Sequence, residues 1–211
     1  MKKYKMLIFD MDGTILYTLD LKNTTNYALS EHGFPERTLE EVRQFVGNGI
    51  HKLIERAVPA GTSDADIEAV FTTFEIYYKD HCMDTTRPYD GINDLLTKLR
   101  AQGYMTAVVS NTLDSAVQDL VKDFFVGQFD VAIGEREGVR KKPAPDSVYE
   151  VLKEFDLKKD EVIYIGDSDV DVETARNAGV ACCAVSWGFR SVESLKEAGA
   201  ERIAANPQAL L

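Results

Sequence analysis

Cysteine is scarce in these 211 residues: Cys82, Cys182 and Cys183 are the only three. An odd count with two adjacent residues excludes a disulfide framework, suits a reducing cytosol and does not match zinc-ligand spacing. Long apolar runs are absent as well. The basic opening MKKYKM leads into an apolar stretch that stops at Asp10, too short for a signal peptide or a membrane span. A soluble cytoplasmic protein without a membrane partner is therefore expected. Positive charge is in short supply, with 24 lysines and arginines against 35 acids and a net charge of −11. Such a surface repels phosphate backbones and argues against nucleic acid, while leaving room for a small anion in a local positive pocket. There is no low-complexity tract and no internal repeat. What the chain does have is 45% hydrophobic residues, enough to bury the core of one good-sized domain or a domain with an insertion.

From about residue 85 onward, short apolar runs alternate with helical patterns. Ile92, Leu95, Leu96 and Leu99 recur at helical spacing, with Gly103 as a stop. The strand-like run YMTAVVSN follows. Val117, Leu120, Val121 and Phe124 then repeat the helical spacing, and FDVAIG reads as a short strand. Val148, Val151, Leu152 and Phe155 are helical, EVIYIGD is strand-like, VDVETARNAG is a helix closed by Gly179, and VACCAVSWG is another strand. This alternation predicts an α/β fold, a Rossmann-like parallel sheet flanked by helices.

Residues 16–84 differ. Thr38 with Glu41 forms a capping box ahead of Leu39, Val42, Phe45 and Val46, and Ile67, Val70, Phe71, Phe74 and Tyr78 form a second apolar stripe. No strand is evident between them. The expected organisation is a core of residues 1–15 and 85–211 with an inserted all-helical cap, residues 16–84. The insertion leaves and returns at the carboxyl edge of the sheet, where ligands bind in such folds.

Three strand-like runs end in residues able to do chemistry. One ends at Asp10, with Asp12 two residues on in a turn. Another ends at Ser110 and Asn111, and the third at Asp167, with Asp171 four residues later. Parallel strands bring all three ends to one edge. The segment RKKPAPD adds Lys142, whose backbone Pro143 holds extended, and Pro145, which can open a helix. Carboxylates converging in this way require a cation, and an oxygen-only donor set favours Mg²⁺ together with a phosphate. Lys142 and Ser110 would then meet phosphate oxygens, the parts that phosphoryl transfer needs.

The motifs DMDGT, SNT, KP and GDSDVD resemble, in order and spacing, the four motifs of the haloacid dehalogenase-like (HAD) hydrolase superfamily. FVGNG and VSWGF resemble its phosphoglycolate phosphatase-like branch, which carries a helical cap. The resemblance spans nearly the whole chain. It implies that Asp10 is a nucleophile forming an aspartyl-phosphate, and that Asp12 protonates the leaving oxygen and later activates water. It further implies that Asp10, the Asp12 carbonyl and Asp167 bind Mg²⁺, with Asp171 orienting a metal-bound water. Ser110 and Lys142 would hold the phosphoryl group, with Thr14, Asn111 and Asn48 as further substrate-binding positions. The expected activity is that of a phosphatase for a small phosphorylated metabolite such as 2-phosphoglycolate. Where the family often has an acid and then serine after the first motif, this chain has Tyr17 and Thr18, which leaves the chemistry intact and the substrate open.

Other readings compete at several positions. Ser110 and Asn111 could start a helix, Asp171 could favour a helix dipole, and Lys141 competes with Lys142. Gly47, Asn48 and Gly49 form either a tight turn or an approach for backbone amides to a ligand. His51, Lys52 and Arg56 read as solvated helix residues, Trp187 as core or rim, and Cys182 and Cys183 as inert thiols. His32 and His81 have no metal-like spacing. Pyrophosphate hydrolysis and a sugar-phosphate mutase are the alternative activities within the superfamily. A dehalogenase would not need the acidic pair Asp167 and Asp171. A phosphate-sensing or scaffold protein without turnover is the non-enzymatic alternative, and a receiver domain would lack the helical insertion. Monomer and homodimer are equally open.

Overall fold

The computed structural model describes residues 4–211; Met1, Lys2 and Lys3, the start of the basic opening, lie outside the described residues. The chain begins with β1 (Met6–Phe9) and β2 (Leu16–Tyr17). Four helices follow: α1 (Leu19–Glu31), α2 (Leu39–Phe45), α3 (Ile50–Ala57) and α4 (Asp64–His81). Then come β3 (Arg87–Pro88), α5 (Ile92–Ala101), β4 (Met105–Leu113), α6 (Asp114–Phe124), β5 (Val131–Glu135) and α7 (Asp146–Glu154). The chain ends with β6 (Val162–Gly166), α8 (Asp169–Ala178), β7 (Ala181–Val185), α9 (Val192–Glu197) and β8 (Ile203–Ala204). The short strands β2 and β3 pair with each other in a separate two-stranded sheet. Among the described residues no helix is long and apolar enough to cross a membrane.

Two compact units result: the chain up to Tyr17 together with Pro88–Leu211, and Thr18–Arg87. The first holds a six-stranded sheet in the order β5-β4-β1-β6-β7-β8, parallel throughout. This is the α/β, Rossmann-like arrangement that the alternating pattern predicts. Strand alternation explains its two apolar layers. Leu7, Phe9, Ile163 and Ile165 point to one face and pack with α5 and α6 residues such as Leu96 and Leu120. Met6, Ile8, Val162 and Tyr164 point to the other and pack with Val148, Val151 and Ala175 of α7 and α8. Strands buried on both faces read as the unbroken apolar runs seen in the sequence. The strand order grows from β1 through β4 to β5, then restarts on the far side of β1 with β6. The carboxyl ends of β4, β1 and β6 thus surround a topological switch point.

Two local expectations need correction. The strand before the SNT motif does not stop at Ser110 and Asn111: β4 runs on to Leu113, and α6 starts at Asp114. The ladder to β5 is regular up to Val109↔Ile133, shifts register, and resumes at Leu113↔Glu135. Ser110, Asn111 and Thr112 therefore occupy an irregularity that turns polar side chains out of the regular pleat. Pro145 does not form the first turn of α7; it caps that turn, and the helix begins at Asp146.

The second unit is all helical. The Thr38–Glu41 capping box is present at the start of α2, and Val70, Phe74 and Tyr78 form the buried stripe of α4. Helix α1 escapes the sequence reading, whereas α3 holds His51, Lys52 and Arg56, which read as helix residues. The buried face of α1 includes Asp20, Thr24, Thr25 and Asn26, so its periodicity is polar and does not register as an apolar stripe. Buried polar groups generally need partners, and among these only the Thr24 hydroxyl has none. Asn26 exchanges two hydrogen bonds with the Arg37 backbone, at 2.8 and 2.9 Å. The Asp20 carboxylate accepts from the Thr85 and Thr86 amides, both at 2.8 Å, and from the Thr85 hydroxyl. It thereby joins the first turn of the unit to its last residues.

Truncating Asp20 to alanine would strand the buried Thr86 amide and the part-buried Thr85 amide and is expected to cost about 2 kcal/mol. Equilibrium urea unfolding measures this, and a loss under ~0.5 kcal/mol would show that the carboxylate does not close the unit.

Candidate active site

Asp10 directly follows β1 and Asp167 directly follows β6, and β1 pairs with β6 from Met6↔Val162 to Phe9↔Ile165. The Asp10 amide continues that ladder by donating to the Ile165 carbonyl at 2.8 Å. The two acids therefore leave adjacent strands side by side. Asp171 joins them from the first turn of α8, so that Asp10, Asp167 and Asp171 each offer an oxygen within 4.8 Å of the others, all buried. Lys142 enters from the loop between β5 and α7. Its Nζ lies 2.8 Å from Asp10 Oδ1 and 2.8 Å from Asp171 Oδ1, with the side chain only 3% exposed. The competing Lys141 is an exposed residue that pairs with Glu135 at 3.1 Å.

Most of these groups are held by a residue from another element. Asn111 clasps the Lys142 backbone from both sides, its Nδ2 donating to the carbonyl at 2.9 Å and its Oδ1 accepting from the amide at 2.8 Å. The third Lys142 donor goes to the Tyr164 hydroxyl at 3.1 Å, which itself donates to the Val109 carbonyl at 3.0 Å. Thr14 donates to Asp167 Oδ1 at 3.0 Å, and the Phe189 amide donates to Asp167 Oδ2 at 2.7 Å. The Thr112 hydroxyl donates to Asp12 Oδ2, while the Thr112 amide donates to Ser110 Oγ at 3.1 Å. Asp171 Oδ2 accepts from Ser168 and caps α8 in a reciprocal box. Asp171 thus serves the helix start and the lysine at once.

Asp10, Asp12, Thr14, Ser110, Asn111, Lys142, Asp167 and Asp171 therefore meet at one sheet edge. Asn48 does not belong to this group. It lies in the helical unit, where Arg56 donates to its Oδ1 at 2.8 Å and to the Phe45 carbonyl at 2.7 Å. Arg56 is accordingly not a solvated residue, as its position suggested, but a brace for the Gly47–Gly49 turn. Tyr164, Thr112, Trp187 and Phe189 are site-supporting residues that sequence reasoning left without a role. The positions of Thr112 within SNT and of Trp187 and Phe189 within VSWGF were the hints of one. Cys182, pushed up to about 12 by burial and then by Asp171, is an inert thiol.

Electrostatically the cluster is short of positive charge. Three carboxylates face one ammonium, which fully ionised would be an excess of two negative charges. Burial, then the charge of Asp171, raises Asp10 well above the usual carboxylate range despite the pull of Lys142. Burial and then Asp171 push Asp167 up to about 7. Burial opposes the charge of Lys142, yet Asp10 and Asp171 outweigh it and hold the lysine well above its ordinary value. The buried, carboxylate-only donor set of Asp10, Asp167 and Asp171 fits a hard divalent cation such as Mg²⁺.

The chain matches the haloacid dehalogenase-like hydrolase family over residues 7–185. It belongs to that family. Phosphoglycolate phosphatase of Pseudomonas putida is 32% identical over 193 residues, covering 88% of this chain and 70% of the relative. A crystal structure from Lactobacillus delbrueckii subsp. bulgaricus, provisionally named a phosphoglycolate phosphatase, superposes with a TM-score of 0.94 at 39% identity, covering 99% of this chain and 97% of that one. CbbY from Rhodobacter sphaeroides, solved in complex with phosphate, superposes at 0.74 with 25% identity over 95% of this chain and 93% of its own. Within the family this chain falls in the phosphoglycolate phosphatase-like branch, which makes it a phosphatase, a hydrolase of phosphoric monoesters.

The acids set the pH response of the fold. Asp167 binds its proton more tightly in the folded state, at about 7, than in the unfolded chain, at 3.8. Between these values the native state holds more protons, so stability falls as pH rises. In chelator, urea unfolding is expected to show Asp167 favouring the fold at pH 5 relative to pH 8, and Asp167→Asn to flatten that difference. An identical pH slope in wild type and variant would refute the assignment.

Proposed function

We propose that the protein is a Mg²⁺-dependent phosphatase for a small phosphorylated metabolite of the 2-phosphoglycolate kind, acting through an aspartyl-phosphate on Asp10. The observation that carries this reading is the buried Asp10–Lys142–Asp171 bridge beside Asp167 at the sheet's carboxyl edge. In this reading an Asp10 oxygen attacks phosphorus and the ester P–O bond breaks. Asp12, oriented by the Thr112 hydroxyl, gives its proton to the departing oxygen. Asp12 then takes a proton from water, whose oxygen attacks phosphorus, and the bond to Asp10 breaks to release inorganic phosphate. Two carboxylates are required because the nucleophile cannot carry the proton as well.

Lys142 and Ser110 stabilise the charge on the phosphoryl oxygens. A hydroxyl that accepts from the Thr112 amide still has its own proton to donate. A Mg²⁺ held by Asp10, the Asp12 carbonyl and Asp167 would neutralise the excess charge and let a phosphate dianion approach. Asp171 would act through Lys142 and water. Thr14 and Asn111 serve this site by orienting Asp167 and Lys142. The helical unit, with Asn48, is the cap of this reading and the source of substrate choice. The relatives named phosphoglycolate phosphatase and the phosphate-bound CbbY support the substrate class, and the charge and sequence point to a cytoplasmic enzyme.

The test is a panel of phosphate esters, including 2-phosphoglycolate and pyrophosphate, assayed for phosphate release with Mg²⁺ and with excess EDTA. Release is expected only with the metal. Full activity in EDTA would sink the metal assignment, and conversion of a sugar phosphate without free phosphate would identify a mutase.

Asp10→Asn is expected to abolish turnover while folding normally, since it removes one charge from an over-negative cluster. Substantial residual turnover would mean that another group attacks. Lys142→Ala should lower kcat by about 10²-fold or more, whereas Lys141→Ala should stay near wild type. The reverse order in steady-state kinetics would overturn the choice of lysine.

A further inference from the structure

Trp187 is the only tryptophan in the chain, and the reaction as described does not use it. Its indole Nε1–H donates to the Thr14 carbonyl at 2.9 Å. The Thr14 hydroxyl in turn donates to Asp167 Oδ1 at 3.0 Å. Two residues further along the same loop, the Phe189 amide donates to Asp167 Oδ2 at 2.7 Å. Between them sits Gly188, where a Cβ would overlap the Asp167 carboxylate; a Cβ at Gly13, with φ +83°, would do the same from the other side. Residues 187–189 thus grip Asp167 twice, directly through Phe189 and indirectly through Trp187 and Thr14. With one bond on each oxygen, the carboxylate cannot rotate without breaking both. Each oxygen retains acceptor capacity for a cation.

We infer that Trp187 is a positioning residue for the divalent cation: its indole N–H locks the Thr14 peptide, and through Thr14 it fixes the orientation in which Asp167 meets the metal. The inference rests on the proposed cation site at Asp10 and Asp167. Indole suits the task because its only donor lies at the far end of a large ring, which spans from the loop after β7 to the loop after β1. Phenylalanine would keep most of the packing and lose only the donor. Groups that orient a ligand in this way commonly change metal affinity about 10- to 100-fold when removed.

The test is calorimetric titration of the full-length, metal-free protein with Mg²⁺ alone, without substrate, for wild type, Trp187→Phe and Asp167→Asn. Melting curves in chelator accompany it. The expected result is binding by wild type, near-complete loss in Asp167→Asn, and at least about ten-fold weaker binding in Trp187→Phe, with the metal-free melting temperature lowered by only a few degrees, the cost of one hydrogen bond. Equal affinity in wild type and Trp187→Phe overturns the inference and leaves the cation site standing. Failure of wild type to bind any Mg²⁺ overturns both. Should Trp187→Phe lose its fold, the wild-type indole decides. Coupling is reciprocal, so Mg²⁺ must perturb the clamp that tunes its affinity. The single ¹⁵N-indole resonance is expected to shift with Mg²⁺ in wild type and not in Asp167→Asn. An indole signal that ignores Mg²⁺ in a protein that binds it overturns the inference.

Discussion

One buried ammonium organises this site. Lys142 reaches Asp10 after β1 and Asp171 in α8, and its third donor rests on Tyr164 of β6. A lysine removed from water this completely is tolerable only when every donor is met, and removing one partner of such a pair typically costs about 3–5 kcal/mol. The requirement works in both directions. Without Lys142, three acids would share a water-poor edge with no counter-charge. Without the acids, burial would neutralise the lysine. The geometry of the loops after β1, β5 and β6 is therefore one problem with one solution.

Around this bridge lies a second layer that fixes direction rather than charge. Asn111 sets the Lys142 backbone, Thr112 sets Asp12, and Thr14 with Phe189 sets Asp167. Asp12 and Asp167 are each oriented by an element other than their own, while Asp171 is held by the cap of its own helix. Oriented dipoles that need not reorganise when charge moves are what phosphoryl transfer demands, since the transfer is mostly a matter of placing charge. The glycines fit the same logic. Gly13 and Gly188 are bare because Asp167 fills the space a side chain would take.

The two units divide the labour of the sequence differently. The sheet unit keeps family motifs in family order, within a family match over residues 7–185 that includes the helical unit. The helical unit is held by devices of its own: the Asp20 carboxylate that ties its entry to its exit, the Asn26–Arg37 exchange and the Arg56 brace on Asn48. Tyr17 and Thr18, where the family often has an acid and serine, stand at the junction, and the buried acid sits two residues later at Asp20.

Much of the fold and of the site's inventory was legible because both rest on local signals. Apolar periodicity marked α5, α6, α7 and α8, unbroken apolar runs marked the buried strands, and Asp10, Asp12, Lys142, Asp167 and Asp171 stood at strand and turn ends where parallel topology must gather them. Helix α1 stayed hidden because Asp20, Thr24, Thr25 and Asn26 are buried polar residues, which no hydrophobic pattern reveals. The continuation of β4 through Ser110–Thr112 was equally hidden, since a register shift depends on the partner strand. Which hydroxyl serves which acid, and that a tryptophan 173 residues away holds the Thr14 carbonyl, were decided only in three dimensions. The physical reason is range. Periodicity and turn chemistry act over a few residues and are written in the chain, whereas a hydrogen bond at 2.9 Å joins groups whose distance along the chain says nothing of their distance in space.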